Sequence, residues 1–546
     1  MGGDIMRLVG KLTVLLLAWG FSTSGFSSTK PEHTRNILVR LKDSAKTARV
    51  NAKYGALGVR VIKTFNHPRN LRLLEVPKNV SFEQALKSLR SHQDVLYAEP
   101  DYPLRMASKA PMDSAIVDPR FHEQWYLHNE GQTGGVPDVD INAPEAWQFI
   151  DPEAKVVVAV IDTGIDLAHP EMQNSLWVND LEIPNNEIDD DQNGYVDDVH
   201  GVNAIDPSTP PADDNGHGSF IAGMIGARSN NLEGGKGIVP NVSIIACKFL
   251  GATGGGATSD AIECLNYLLA LKLRTVQPVN IVATNNSWGG GGPHSLALYD
   301  AIKAHRDAGI LFVTVAPADA ANNDEVEIYP CNYQLDNIIT AAATDDHDHL
   351  SGFSSFGRRT IDVGAPGVDI FSTDIGATYE TVSGNSFAAA SVTGLLGLIA
   401  AFDPGLPFTK IRNLVLAGGT PLLSLEGKTV SGRRIRAWDR LGVGSLSCHD
   451  QIVSGRLSPR EDHYSLAVGE RLSFSFININ CAQPMGRAVP VFERHDRNLM
   501  LLDDGEGADQ ISSDGIYATE WIADAPGNYE FIFINDERLF VTVYDH

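Results

Sequence analysis

Val156-Val157-Val158-Ala159-Val160-Ile161 is an unbroken apolar run that stops at Asp162-Thr163-Gly164. Six Val/Ile-rich residues with no polar alternation, closed by a turn signal, predict a strand buried on both faces, as in a parallel sheet. Val242–Ala246, Ile281–Asn285, Ile310–Val315 and Ile338–Ala342 repeat the texture, and helical stretches at Phe220–Ala227, Thr258–Leu271 and Ser295–Asp307 lie between them. The alternation predicts an α/β fold, a doubly wound, mostly parallel sheet with helices on both faces.

Polar residues stand at the ends of these elements. Asp162 follows the first strand, and Asn215-Gly216-His217-Gly218-Ser219 opens the apolar helix that begins at Phe220. Gly384-Asn385-Ser386-Phe387-Ala388-Ala389-Ala390 reads as a strand-to-helix corner with Ser386 at the mouth of a small-residue helix. Free N–H groups at a helix N-terminus favour an oxyanion, which suits a nucleophilic hydroxyl. A serine hydroxyl is a weak nucleophile and needs a base within hydrogen-bond reach. His217 is the expected base and later the acid, and Asp162 the group that sets its tautomer. Each alone could be a simple cap; their joint occurrence outweighs that reading.

In chain order and surroundings these motifs resemble the subtilisin-like serine protease (subtilase) family, over roughly residues 120–442. The resemblance implies a secreted endopeptidase, made as a self-processing precursor, that cleaves peptide bonds through an acyl-enzyme at Asp162, His217 and Ser386. It also implies that Ser287, Trp288, Gly289 and Gly290 hold the substrate as an added strand. The chain departs from the family in four places. The family's oxyanion Asn is replaced by Ala318 in Pro317-Ala318-Asp319, and Asn385 is the candidate substitute donor. Phe220 stands where a second His is usual, Asn385 where Thr precedes the nucleophile, and Ala390-Ser391 where Pro-His is usual. The alternative is a catalytically impaired relative that binds peptides or proteins without turning them over.

With 546 residues the chain is too long for one core. Its net charge of -25 and lack of a basic patch exclude nucleic acid and anionic membrane surfaces as expected partners. Arg7 and Lys11 precede the apolar run Leu12–Trp19, so residues 1–28 read as a signal peptide, and the mature form is expected in the extracellular space or periplasm with no membrane span. Export permits disulfides. Of five cysteines, Cys247 with Cys264 and Cys448 with Cys481 is the expected pairing, leaving Cys331 free, although spacing leaves the connectivity open.

Residues 35–105 alternate strands and helices, with Ser81 capping the helix that begins at Phe82. This segment resembles the family's inhibitor prodomain, a small α+β unit whose tail lies in the active cleft until it is cut between Leu104 and about Asp118. The catalytic domain is expected at 119–442. Residues 446–546, with short alternating strands, predict a C-terminal β-sandwich. Asp189, Asp191, Asn193, Gly194 and Asp197 follow the spacing of an EF-hand-like calcium loop, with Tyr195 offering its carbonyl. His200 stands where that loop's bidentate acid should be, and Asp190 or Asp198 would have to compensate. Acidic turns at Asp503 and Asp514 gather oxygen ligands a second time. No organic cofactor is expected.

Overall fold

The computed structural model describes residues 35–106, 121–438 and 444–545, apart from residues 43, 46, 152, 291, 293 and 495–497. The expected signal segment 1–28, and residues 107–118 of the expected processing region, lie outside the described residues.

The run quoted first forms the strand Val156–Asp162, third from one edge of a nine-stranded sheet. In spatial order its neighbours on one side are Ile281–Asn286, Leu311–Val315, Ile338–Thr344 and Val363–Pro366, and on the other Val242–Lys248 and Gly201–Asn203, all parallel. Alternate residues of this strand serve two different cores. Val158 and Val160 join one apolar cluster with the helices His217–Gly226 and Asn385–Phe402, while Ala159 and Ile161 join a second with Thr258–Leu273 and Leu296–Asp307. Burial on both faces is why the run shows no polar alternation. Asn385–Phe402 is long and apolar enough by composition to cross a bilayer, yet 94% of it is buried inside the fold.

Two disulfides pair as expected. Cys247–Cys264 ties a sheet strand to the helix Thr258–Leu273, and Cys448–Cys481 pins the start of the C-terminal region; Cys331 is free and buried. That region is a β-sandwich of two sheets sharing the strand Ala488–Glu493, closed over Phe474, Phe476, Tyr517, Trp521 and Phe531. It is docked, not tethered. Val453, Ile477 and Ile479 belong to the same apolar cluster as Ile411 and Val415 of the helix Phe408–Gly418 and as the helix Asn385–Phe402.

The N-terminal module is a four-stranded antiparallel sheet, ordered Arg60–Thr64, Leu71–Glu75, Asn36–Leu41, Val95–Pro100. Its helices are Thr47–Leu57 and Phe82–Arg90, the second capped by Ser81 Oγ accepting from Gln84 N–H. Ile37, Val39 and Leu41 face the module's own core, whereas Leu38, Leu71, Leu73 and Phe65 pack with residues of the helices Thr258–Leu273 and Leu296–Asp307. The module also caps both of those helices. Glu99 accepts hydrogen bonds from Ser295 Oγ (2.6 Å) and from the N–H groups of Leu296 and Ala297 (both 2.8 Å). Asp101 accepts from Ser259 N–H (2.9 Å) and Ser259 Oγ (3.1 Å). Carboxylates at helix N-termini satisfy orphan donors and complement the helix dipole.

Next to the second cap, burial and then the Asp101 charge push the Asp260 carboxyl up to about 7 from an ordinary 3.8. A carboxyl whose pKa is raised on assembly takes up a proton. Its contribution is whole below about pH 4 and is lost as pH rises through about 7. The melting temperature of the uncut chain carrying Ser386→Ala is therefore expected to fall, through this group, between about pH 4 and 7. Asp260→Asn is expected to flatten that dependence; equal slopes in both proteins would show that Asp260 is not its source.

Candidate active site

The three residues singled out by pattern converge at one edge of the parallel sheet. Asp162 ends its strand, His217 is the first residue of the helix His217–Gly226, and Ser386 is the second residue of the helix Asn385–Phe402. His217 Nδ1 donates to Asp162 Oδ1 at 2.7 Å, with both side chains wholly buried. Asp162 Oδ1 also accepts from Thr163 N–H at 2.8 Å. His217 Nε2 and Ser386 Oγ are buried and have no hydrogen-bond partner among the described residues, so the base and the hydroxyl are not yet joined. The imidazole centroid lies 6.2 Å from that of Phe387, the residue after Ser386. Buried polar atoms without partners are rare and concentrate where chemistry is done, and catalytic hydrogen bonds commonly tighten only around substrate.

Local packing fixes these positions. Gly216, at φ +99°, precedes the His217 helix, and Asp213 holds its first turn through Gly216 N–H, Ser219 N–H and Ser219 Oγ. The helix lies so close to the Asp162 turn that a Cβ on Gly218 would sit 2.1 Å from the Gly164 carbonyl oxygen. Lys248 Nζ, also buried, donates to the Thr163 carbonyl at 2.6 Å. The Ser386 helix has Gly384 at its N-cap and no side-chain cap, which leaves first-turn N–H groups for a ligand.

Trp288–Gly289 forms a short strand, and Pro103–Met106 of the N-terminal tail lies antiparallel beside it, with Met106 opposite Trp288 and Arg105 opposite Gly289. On its other side the tail pairs with Gly255–Ala257. A peptide segment is thus already bound as the middle strand of three. Ser287 Oγ donates to the Ser386 carbonyl (3.0 Å), and Trp288 Nε1 to the Ile161 carbonyl (2.9 Å), so the strand is anchored to the elements that carry Ser386 and Asp162. Gly290 takes φ +84° and donates its N–H to Tyr329 carbonyl oxygen. Beyond lies a cavity of about 280 Å³ lined by Gly289, Gly290, Ala318, Asp319, Tyr329 and Cys331. Burial pushes the Cys331 thiol up to about 12, which keeps it protonated.

One expectation is corrected here. Asn385 is no free oxyanion donor, because both its amide hydrogens are committed: Nδ2 donates to the carbonyls of Ala316 (2.8 Å) and Pro317 (3.0 Å). Its Oδ1 accepts from Ala343 N–H (3.0 Å), so the side chain staples two strand ends together. Asn322 turns to Glu325, and Asn323 faces Cys331, so neither replaces the donor that Ala318 lacks.

The acidic loop is rearranged relative to its spacing. Asp189 and Asp191 come together with Glu182, their ligand oxygens within 4.8 Å of one another, and Glu182 Oε2 is buried without a partner among the described residues. Asp197 points elsewhere and accepts from Asn186 and Glu187 N–H groups, which corrects its expected ligand role. Asn193 turns its amide to Asp198, Tyr195 OH donates to Glu263, and His200 Nδ1 bonds the Trp177 carbonyl. Glu182 lies outside the loop's repeat, so spacing could not find it. Gly255–Ala257 was signalled only by a glycine-rich stretch, Gly254-Gly255-Gly256.

Residues 153–423 match the family model described as Subtilase family, and residues 27–101 match the fervidolysin N-terminal prodomain. Thermitase from Thermoactinomyces vulgaris is 30% identical over 261 residues, covering 48% of this chain and 80% of that protein. Subtilisin-like protease 1 from Plasmodium berghei (strain Anka) is 30% identical over 297 residues, covering 50% of this chain, which spans about half (47%) of that relative. Among solved structures, fervidolysin from Fervidobacterium pennivorans shares the fold with a TM-score of 0.56 at 18% identity, covering 92% of this chain and 71% of that one.

Proposed function

The chain belongs to the subtilase family, and from that premise we propose that it is a secreted serine endopeptidase made as a precursor that cuts itself. The observation that carries this is the 2.7 Å bond between buried Asp162 and His217, in the cleft that also holds Ser386 and an antiparallel peptide strand.

Ser386 Oγ attacks the carbonyl carbon of the bound peptide while His217 Nε2 takes its proton. Nδ1–H stays on Asp162, which fixes the tautomer and stabilises the imidazolium. The tetrahedral oxyanion faces the first-turn N–H groups of the Ser386 helix. His217 then protonates the leaving amine, and water repeats the sequence on the acyl-enzyme. The N-terminal module serves as intramolecular inhibitor. Its tail runs between the two cleft strands, so the first bond cut lies just past Met106. Two disulfides and the apolar segment near the N-terminus support export. A second reading, a peptide-binding relative with impaired turnover, rests on Ala318.

A fluorogenic peptide assay and N-terminal sequencing of the secreted protein test the first reading. Turnover, and a new N-terminus within a few residues of Met106, are expected for the parent and absent in Ser386→Ala. Equal rates in the two proteins would remove the enzyme reading.

Ala318→Asn is expected to raise kcat about 10²-fold, the size of effect one oxyanion donor carries. An unchanged kcat in a folded variant would mean the donor is supplied elsewhere.

Calcium is the cation we propose for Glu182, Asp189 and Asp191, since three carboxylates form a hard oxygen set and one buried oxygen lacks a partner. Arg274 lies 3.4 Å from Asp191 and lowers the local charge. Added calcium is expected to raise Tm less in Asp191→Ala than in the parent; identical shifts would argue against this loop.

A further inference from the structure

The C-terminal sandwich carries a second group of carboxylates, at its seam with the catalytic domain. The loop from Leu502 to Ile516 joins the strands Leu499–Leu502 and Ile516–Ile522 and contains Asp503, Asp509 and Asp514. Oxygens of all three lie within 4.8 Å of one another. The loop's own donors account for only part of their capacity. Asp503 accepts from the N–H groups of Asp514 (3.1 Å) and Gly515 (3.0 Å), Asp514 Oδ1 from Ile516 N–H (2.8 Å), and Asp509 Oδ2 from Gly505 N–H.

Two independent features point to a missing positive partner. Asp509 is 5% exposed, and its Oδ1 is buried with no hydrogen-bond partner among the described residues. Asp336, 8% exposed on the catalytic side, likewise has a buried unpartnered Oδ2. The nearby cations are Arg412, 3.3 Å from Asp514 Oδ2, and Arg306, whose guanidinium bonds Gln510. Asp336, Asp503, Asp509 and Asp514 against Arg306 and Arg412 leave a formal charge of about -2, and uncompensated buried charge is costly.

We propose that Asp503, Asp509 and Asp514 hold one calcium ion. The chemistry selects the ion: three carboxylates from an irregular, glycine-containing loop suit a large, hard divalent cation with adaptable geometry better than one demanding a strict octahedron. The site would also brace the domain seam. The Asp514 carbonyl accepts from Asn413 Nδ2 (2.8 Å) and Arg412 NH2 (3.0 Å), both on the helix Phe408–Gly418. An ion fixed to the Asp514 carboxylate holds that carbonyl against the catalytic domain.

The test uses the full chain with Ser386→Ala, to prevent self-digestion, and Asp191→Ala, to silence the other acidic loop. After chelator treatment it is titrated with calcium chloride in a calorimeter. One calcium per chain is expected, and adding Asp509→Asn should weaken that binding at least 10-fold. Asp503→Asn, at the half-buried member of the trio, should weaken it too, with far-UV circular dichroism reporting that each variant folds. No calcium bound by the Asp191→Ala background would overturn the proposal. So would binding unchanged by both loop substitutions, or a preference for magnesium over calcium.

Discussion

A carboxylate sealed from water is costly unless it is hydrogen-bonded, and Asp162 is wholly buried. Its partners are Thr163 N–H and the imidazole of His217. That requirement propagates outward. The imidazole has to come in on the first residue of its helix, so the helix has to touch the Asp162 turn, so Gly218 can carry no side chain against the Gly164 carbonyl. Lys248 braces the same turn from the neighbouring strand. The parallel sheet sets where these pieces start, because the strand Val156–Asp162 delivers its last residue at the edge where the two helices begin.

The helix that carries Ser386 belongs to both the core and the site. Its apolar length is buried between the sheet and the helix His217–Gly226, so the hydroxyl at its mouth has little freedom to wander. The link to the strand Trp288–Gly289 is polar and equally buried: Thr393 donates to Asn285, Asn285 to Ser287, and Ser287 to the Ser386 carbonyl. A satisfied chain of this kind holds geometry that packing alone would leave loose. It also explains why Asn385 is spent on Ala316 and Pro317. Joining the Ser386 corner to the end of the strand Leu311–Val315 uses both amide hydrogens of Asn385.

Much of this was legible from the chain itself, and the reasons differ by element. Val156–Ile161 and its sister strands could be read because burial on both faces makes them mostly apolar, with no regular polar alternation. The helix Phe82–Arg90 announced itself through Ser81, whose hydroxyl accepts from Gln84 N–H. Arg60–Thr64 escaped because it is an exposed edge strand with no apolar face of its own. Gly201–Asn203 is only three residues long. At the sites, local spacing suggested Asp197 as a ligand, but the turn had already claimed its carboxylate, and the carboxylate that joins Asp189 and Asp191 comes from Glu182, seven positions upstream of Asp189. Side-chain direction in a loop is decided by tertiary neighbours, which a one-dimensional pattern does not contain.

The docked sandwich has a bearing on how such a chain can be remodelled. Val453, Ile477 and Ile479 complete an apolar surface that the helix Phe408–Gly418 presents, and Arg359 reaches across to Asp462 at 2.7 Å. Trimming the polypeptide after the last strand of the parallel sheet would lay open an oily, charged scar instead of a clean break. The tail is therefore masonry rather than luggage: a shortened version would need new surface residues along that wall before it could stand in water.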